Sequence, residues 1–246
     1  MLIGGNIIWL SKVSSTNDFT LNLIDRESVN DGTIVATNEQ TAGKGQQGSW
    51  WLSEKGKNFT FSIVLYPRFL KPDEQFYLSK AISLGILDYI KTEINDVSIK
   101  WPNDIYFDNR KLGGILIENT IIDNKIHHSV AGVGLNINQV EFSNMPSSPV
   151  SLKLITDKDY LLENELERIS NYLTERYNIL AARDFLLLDK EYLNNLFGYG
   201  EFRRYLANNK IFEAKITGVS KYGKLILQSR SNEEKQYDLK EVEFII

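Results

Sequence analysis

GKGQQG, residues 43–48, matches the G-x-G-x-x-G of dinucleotide-binding loops letter for letter, and the segments flanking it decide the fold. In that motif the glycines stand between a strand and a helix, because the helix N-terminus holds the pyrophosphate. A strand-like TIVAT (33–37) does come before it. On its C-terminal side stands SWWLSEKGKNFTFSIVLY (49–66), two tryptophans, another glycine and a second strand, with no period of 3.6 residues. The acid needed about 20 residues further on is missing, since 64–71 reads VLYPRFLK. A P-loop fails too, because GKGQQGS carries Ser49 where that motif places lysine. Glutamine, lysine and three glycines within seven residues, ending at Trp50 and Trp51, are nevertheless unusual for a plain connector. Exposed backbone amides there can wrap an anion without any helix.

Outward from the loop, the chain reads as strands and helices mixed along its length. NIIWLSKV (6–13) is a strand, and in SSTNDF either Ser15 or Thr16 caps a helix running to about Arg26. DGTIVATNE (31–39) and NFTFSIVLYP (58–67) are strands around the glycine loop. From Pro72 to about Ile94, a proline and two acids open a helix with Phe76, Ala81, Ile82, Ile86, Tyr89 and Ile90 near helical spacing. Short strands then alternate with Pro-Asn-Asp, Asp-Asn and Asp-Asn-Lys turns up to GVGLNIN. Two helical stretches occupy 158–196. KIFEAKITGVS, GKLILQS and KQYDL then suggest a small barrel, with the boundary near 197–200.

Composition narrows the function. The 246 residues are 42% apolar and carry a formal charge of −4, which does not favour a general nucleic-acid or membrane binder. There is no cysteine, so zinc–thiolate sites and a cysteine nucleophile are out. The two histidines, His127 and His128, are adjacent in a strand-like segment and are expected on opposite faces, against a two-histidine metal site. No basic, apolar leader opens the chain and no run approaches the roughly 18 apolar residues of a membrane span. A cytoplasmic protein is expected.

A second dense stretch is KWPNDIYFDNRKLGGILIE, residues 100–118. Asn103 and Asp104 place hard oxygens beside a proline turn, as Mg²⁺ prefers, although an Asx turn alone would use the same residues. Lys111 precedes Gly113 and Gly114, which let a ligand approach the strand while the lysine meets its phosphate as a point charge. AGVGLNIN (131–138) again joins glycines to amide side chains.

SSTND, QTAGKGQQG with a following tryptophan, KWPNDIYFDNRKLGGILIE and GVGLNIN, in this order from about Ser14 to Asn138, resemble the catalytic domain of bacterial biotin protein ligases. The resemblance implies an α+β fold, with a mixed sheet and helices over residues 1–197 and a small SH3-like barrel over 198–246. It implies ATP- and Mg²⁺-dependent formation of biotinyl-5′-adenylate, then transfer of biotin to a lysine of a biotin carboxyl carrier protein. Ser15, Thr16, Asn17 and Gln40 would meet biotin's polar ring, with Gly43, Gly114 and Asn136 lining its pocket. Lys44, Gly45, Gln46, Gln47 and Trp51 would cover the adenylate. Lys111 would be the main catalytic cation with Lys44 beside it, Asn103 and Asn136 would reach ATP, and Asp104 would face Mg²⁺. Family members that repress transcription carry a DNA-binding domain ahead of this one; the SSTN motif here starts at Ser14, so no DNA partner is expected. Members often pair as homodimers through sheet edges.

A further departure and three rivals stand beside this reading. Many members read G-R-G-R-R-G, whereas Gln46 and Gln47 are uncharged here. Lipoate–protein ligases share the fold and the adenylation chemistry, and the polar Ser15, Thr16 and Gln40 favour a ureido ring over a dithiolane. Octanoyltransferases of the common type need the cysteine that this chain lacks. A non-catalytic biotin or adenylate sensor is the other rival, and Lys111 with Asp104 argue against it.

Overall fold

The computed structural model describes residues 1–142 and 149–245, and the Gln47 side chain lies outside the described part. The chain opens on a parallel unit in which β1 (Ile7–Leu10) leads through α1 (Thr16–Arg26) to β2 (Ile34–Thr37), with Ile7 opposite Ile34 and Leu10 opposite Thr37. Ser15 caps α1, its hydroxyl accepting from the Asp18 N–H, which satisfies one orphan donor of the first turn. The stretch expected to be a loop contains a small hairpin instead. β3 (Gly43–Lys44) pairs with β4 (Trp50–Trp51) across a 3-10 turn at Gln46–Gly48. Two-residue strands carry too little alternation to be recognised in a sequence.

β5 (Phe59–Leu65) is buried along its whole length, as a strand covered on both faces must be. After a 3-10 turn at Pro72–Glu74 comes α2 (Phe76–Ile90), then β6 (Val97–Lys100), β7 (Asp104–Phe107), β8 (Arg110–Ile122) and β9 (Lys125–Leu135). The seven-stranded sheet has the order β1-β2-β5-β9-β8-β7-β6, with β1 and β2 its parallel pair. α3 (Leu152–Thr156), which the apolar pattern does not suggest, is followed by α4 (Leu162–Ala181) and α5 (Phe185–Asn194). α2 lies against α4, and the crossing is close: a Cβ on Gly85 would stand 3.0 Å from the Leu173 Cα.

The histidine pair departs from expectation. Thr120 is opposite His128 but Ile121 is opposite Ile126, so His127 is an extra residue in β9. Such a bulge breaks the alternation of faces, and the two imidazoles meet with Nδ1 atoms 3.0 Å apart. His128 is buried, with Nε2 2.9 Å from Thr120 Oγ1. Burial, helped by His127, holds its pKa below the ordinary histidine value.

The C-terminal part forms a separate antiparallel sheet of SH3-like type from β10 (Phe202–Ala207), β11 (Lys210–Val219), β12 (Leu225–Ser229), β13 (Glu234–Tyr237) and β14 (Glu243–Phe244). Its order is β13-β12-β11-β10-β14, and β10 and β14 leave no strand pattern in the sequence. It is bound to the large sheet's side of the molecule. The Trp101 indole N–H donates to the Gly223 carbonyl at 2.8 Å, and Lys221 pairs with Asp73 at 2.7 Å. No helix among the described residues is long and apolar enough to cross a membrane.

Candidate active site

A cavity of about 440 Å³ opens where α1, the β3–β4 hairpin, the β6–β7 turn and strands β8 and β9 converge, and the C-terminal sheet closes one side. Its floor is glycine. Gly114 on β8 is opposite Gly134 on β9, and Gly132 follows on the same face. Larger neighbours occupy the space that side chains there would need. A Cβ on Gly132 would stand 2.3 Å from Asn17 Oδ1, and one on Gly134 would stand 2.3 Å from the Trp51 ring. The glycines are therefore explained by close approach rather than by turns.

At one end the start of α1 supplies polar groups that are almost wholly buried, Ser15, Thr16 and Asn17. The Gln40 Oε1 accepts from the Thr16 N–H at 2.8 Å and lies 3.2 Å from its hydroxyl. That leaves the Gln40 amide hydrogens for another partner. Ser62 on β5 sits behind, its hydroxyl 2.8 Å from Thr16 Oγ1 and 2.6 Å from Asn17 Oδ1. Asn17 also donates to Glu118 at 2.7 Å. Ser62 and Glu118 have no distinguishing sequence signal; both are ordinary strand positions until the sheet brings them under α1.

The other end is cationic. Lys44, Lys100, Lys111 and Lys240 line the cavity against the carboxylates of Asp104 and Glu243. Lys111 reaches Asp104 at 2.8 Å. Asp104 is thus paired with a cation rather than standing as an open ligand. Among the described residues no cluster of three or more His, Cys, Asp or Glu could hold a metal on its own. Asn103 is buried and donates to the Ile115 carbonyl, so its amide also fixes the turn that follows the cis Trp101–Pro102 bond. Lys100, which the motif alone does not single out, lies 4.8 Å from the Tyr106 ring centre and 5.4 Å from that of Phe244. Burial lowers its pKa, with Asp104 opposing and Lys111 reinforcing the shift. Burial, then Asp104, pushes the Tyr106 phenol up to about 12.

The glycine loop forms the cover. Gly45, Gln46, Ser49 and Trp51 line the cavity, and the loop closes on itself through Gly45 N–H to Ser49 O at 2.7 Å. The Trp51 indole N–H is buried without a partner among the described residues. Gly43 is one residue outside the cavity, bordering a shallower depression with Trp50 and Leu52. Asn136 is also outside it. Its amide donates to the Val150 carbonyl at 3.1 Å, and its own N–H donates to Leu112 O. It ties the chain after β9 to β8, which a buried amide at a strand end does without any ligand. Leu239 and Val242, in the turn between β13 and β14, and Phe244 of β14 complete the wall, and nothing in their local sequence marks them.

Residues 9–136 match the model of the biotin/lipoate A/B protein ligase family. Over 243 residues the chain is 26% identical to the bifunctional ligase/repressor BirA of Bacillus subtilis, covering 96% of this chain and 73% of that protein. It is 30% identical over 147 residues to the biotin–[acetyl-CoA-carboxylase] ligase of Mycobacterium tuberculosis, 56% of this chain and 53% of that one. Among solved structures it superposes on the biotin protein ligase from Aquifex aeolicus in complex with biotin and ATP. That match has a TM-score of 0.77 and 27% identity, over 97% of this chain and 98% of that one.

Proposed function

The chain belongs to the biotin/lipoate A/B protein ligase family, and from that premise we propose how its cavity works. The protein is a biotin protein ligase. It joins biotin to ATP as biotinyl-5′-adenylate and then transfers biotin to a protein lysine. In the first step a biotin carboxylate oxygen attacks the α-phosphorus and pyrophosphate leaves. In the second, a lysine amine of a biotin carboxyl carrier protein attacks the acyl carbon, AMP leaves, and the amine gives up a proton.

One observation carries the residue assignment: a polar, buried end and a cationic end lie in one cavity over a glycine floor. Ser15, Thr16 and the free amide of Gln40 take the ureido ring, whose own polar groups need partners once buried. The biotin tail runs past Asn17 and Trp51, which lie on Gly132 and Gly134, and over Gly114 towards Lys111. That lysine has three donors; one serves Asp104 and the others face the carboxylate and α-phosphate. A fixed cation there stabilises the charge that develops on phosphate. Lys100 takes the far phosphates, and the loop from Lys44 to Trp51 covers the adenylate. Bound Mg²⁺, which keeps several waters and needs only one or two carboxylates, would neutralise the phosphates of ATP, and Asp104, sharing its charge with Lys111, would be the carboxylate to hold it. Residues 1–197 carry this chemistry and 198–246 close its side.

The test is mass spectrometry of a biotin carboxyl carrier domain incubated with the protein, MgATP, and biotin or lipoate. Addition of the biotin mass at one lysine is the expected result. Addition of lipoate alone, or ligand binding without pyrophosphate release, overturns the assignment.

A further inference from the structure

Lys44 is the loop's lone cation, and its Nζ lies 2.5 Å from Asp18 Oδ1 in the first turn of α1. Among the described residues this is the one side-chain hydrogen bond or ion pair from residues 43–49 to another element. The remaining ties are backbone bonds at the loop's base, Thr41 N–H to Val13 O and Ala42 N–H to Ser14 O, and the β3–β4 pairing. Lys44 lines the cavity while bound to Asp18. The next acid towards it, Glu118, is held by Asn17. Hydrogen bonding to Asp18 raises the lysine's pKa, so it stays charged.

We propose that Asp18 is a positioning residue for adenylate retention, strapping the glycine loop to α1 through Lys44 and aiming that ammonium at the ligand. This rests on the reading of the cavity as a biotinyl-adenylate site. An ammonium has three donors, so Asp18 occupies one and orients the others towards the ligand's phosphate. The strap matters more in this chain than in one with G-R-G-R-R-G, because Gln46 and Gln47 bring no charge of their own to the ligand. With Lys44 47% and Asp18 37% exposed, the pair is a surface ion pair and its effect is modest, up to about fivefold.

The experiment compares wild type with Asp18→Asn, Lys44→Ala and the double variant. Two quantities are read: amide hydrogen exchange at residues 45–49 without ligand, and the rate at which preformed biotinyl-adenylate leaves. Asp18→Asn is expected to speed loop exchange and to release adenylate about three- to fivefold faster. In the Lys44→Ala background it is expected to add nothing. Losing the Asp18 charge at the α1 N-terminus would act in both backgrounds, so an additive effect overturns the proposal. Unchanged loop exchange overturns it, and so does release as slow as or slower than wild type, which would make Asp18 a competitor for Lys44. If wild type makes no adenylate from biotin and MgATP, the function assignment fails, and exchange at 45–49 still reads the strap.

Discussion

Lys111→Ala should abolish most adenylate formation while leaving the protein folded. Lys111 Nζ is 2.8 Å from Asp104, and the side chains are 26% and 31% exposed. The site is therefore neither bulk water nor dry interior. At roughly 3 Å from a phosphate oxygen and an effective dielectric near 20, one charge pair amounts to about 5 kcal/mol, an upper bound. A loss of about 3–4 kcal/mol from the transition state slows the reaction by roughly two to three powers of ten. The substitution also leaves Asp104 facing an anionic substrate without its counter-ion, which works in the same direction. Stability should change little, because partly exposed ion pairs contribute about 1 kcal/mol or less. Biotin-dependent exchange of pyrophosphate into ATP reads the chemistry, calorimetry reads biotin binding, and a thermal melt reads the fold. Exchange within a few fold of wild type, in a protein that still binds biotin, would refute the assignment of Lys111 as the phosphate cation.

The geometry supports three further expectations. Gly134→Ala places a Cβ 2.3 Å from the Trp51 ring, so the indole must leave its seat; tryptophan emission should shift and ligand affinity fall, and wild-type emission with wild-type affinity would sink the idea. Gln46→Arg replaces a neutral donor on the cavity wall with a charged one, and should slow adenylate release about tenfold and reduce labelling of bystander lysines; release no slower than wild type would show that the loop is built around glutamine. His128 has a depressed pKa, so the unfolded chain takes up its proton first as pH falls. Stability should then drop as pH falls below about 6.5 towards the lower folded value. His128→Gln should flatten that slope in thermal melts, and an identical slope in both proteins would clear His128 of the effect.

Local chemistry alone makes much of this protein legible in its sequence. Ser15 or Thr16 reads as a cap because a hydroxyl ahead of a helix satisfies its first amides, and the fold gives that place to Ser15. β5 and α2 read correctly because burial on both faces, or at helical spacing, leaves a strong apolar pattern. Rejecting the dinucleotide reading of GKGQQG needs only the strand-like residues after it. Other features depend on atoms far apart in the chain. The hairpin β3–β4 is too short to leave a pattern. His127 and His128 meet because of a bulge set by pairing with β8, not by their own sequence. Asn136 resembles a ligand contact in its motif, but the path of residues 149–150 takes up its amide. Lys111 is visible as a cation beside glycines, whereas its pairing with Asp104 appears only once β7 lies against β8. Ser62, Glu118 and the C-terminal wall are invisible in the sequence, because an ordinary serine, glutamate or phenylalanine acquires a role only from what tertiary packing places opposite it.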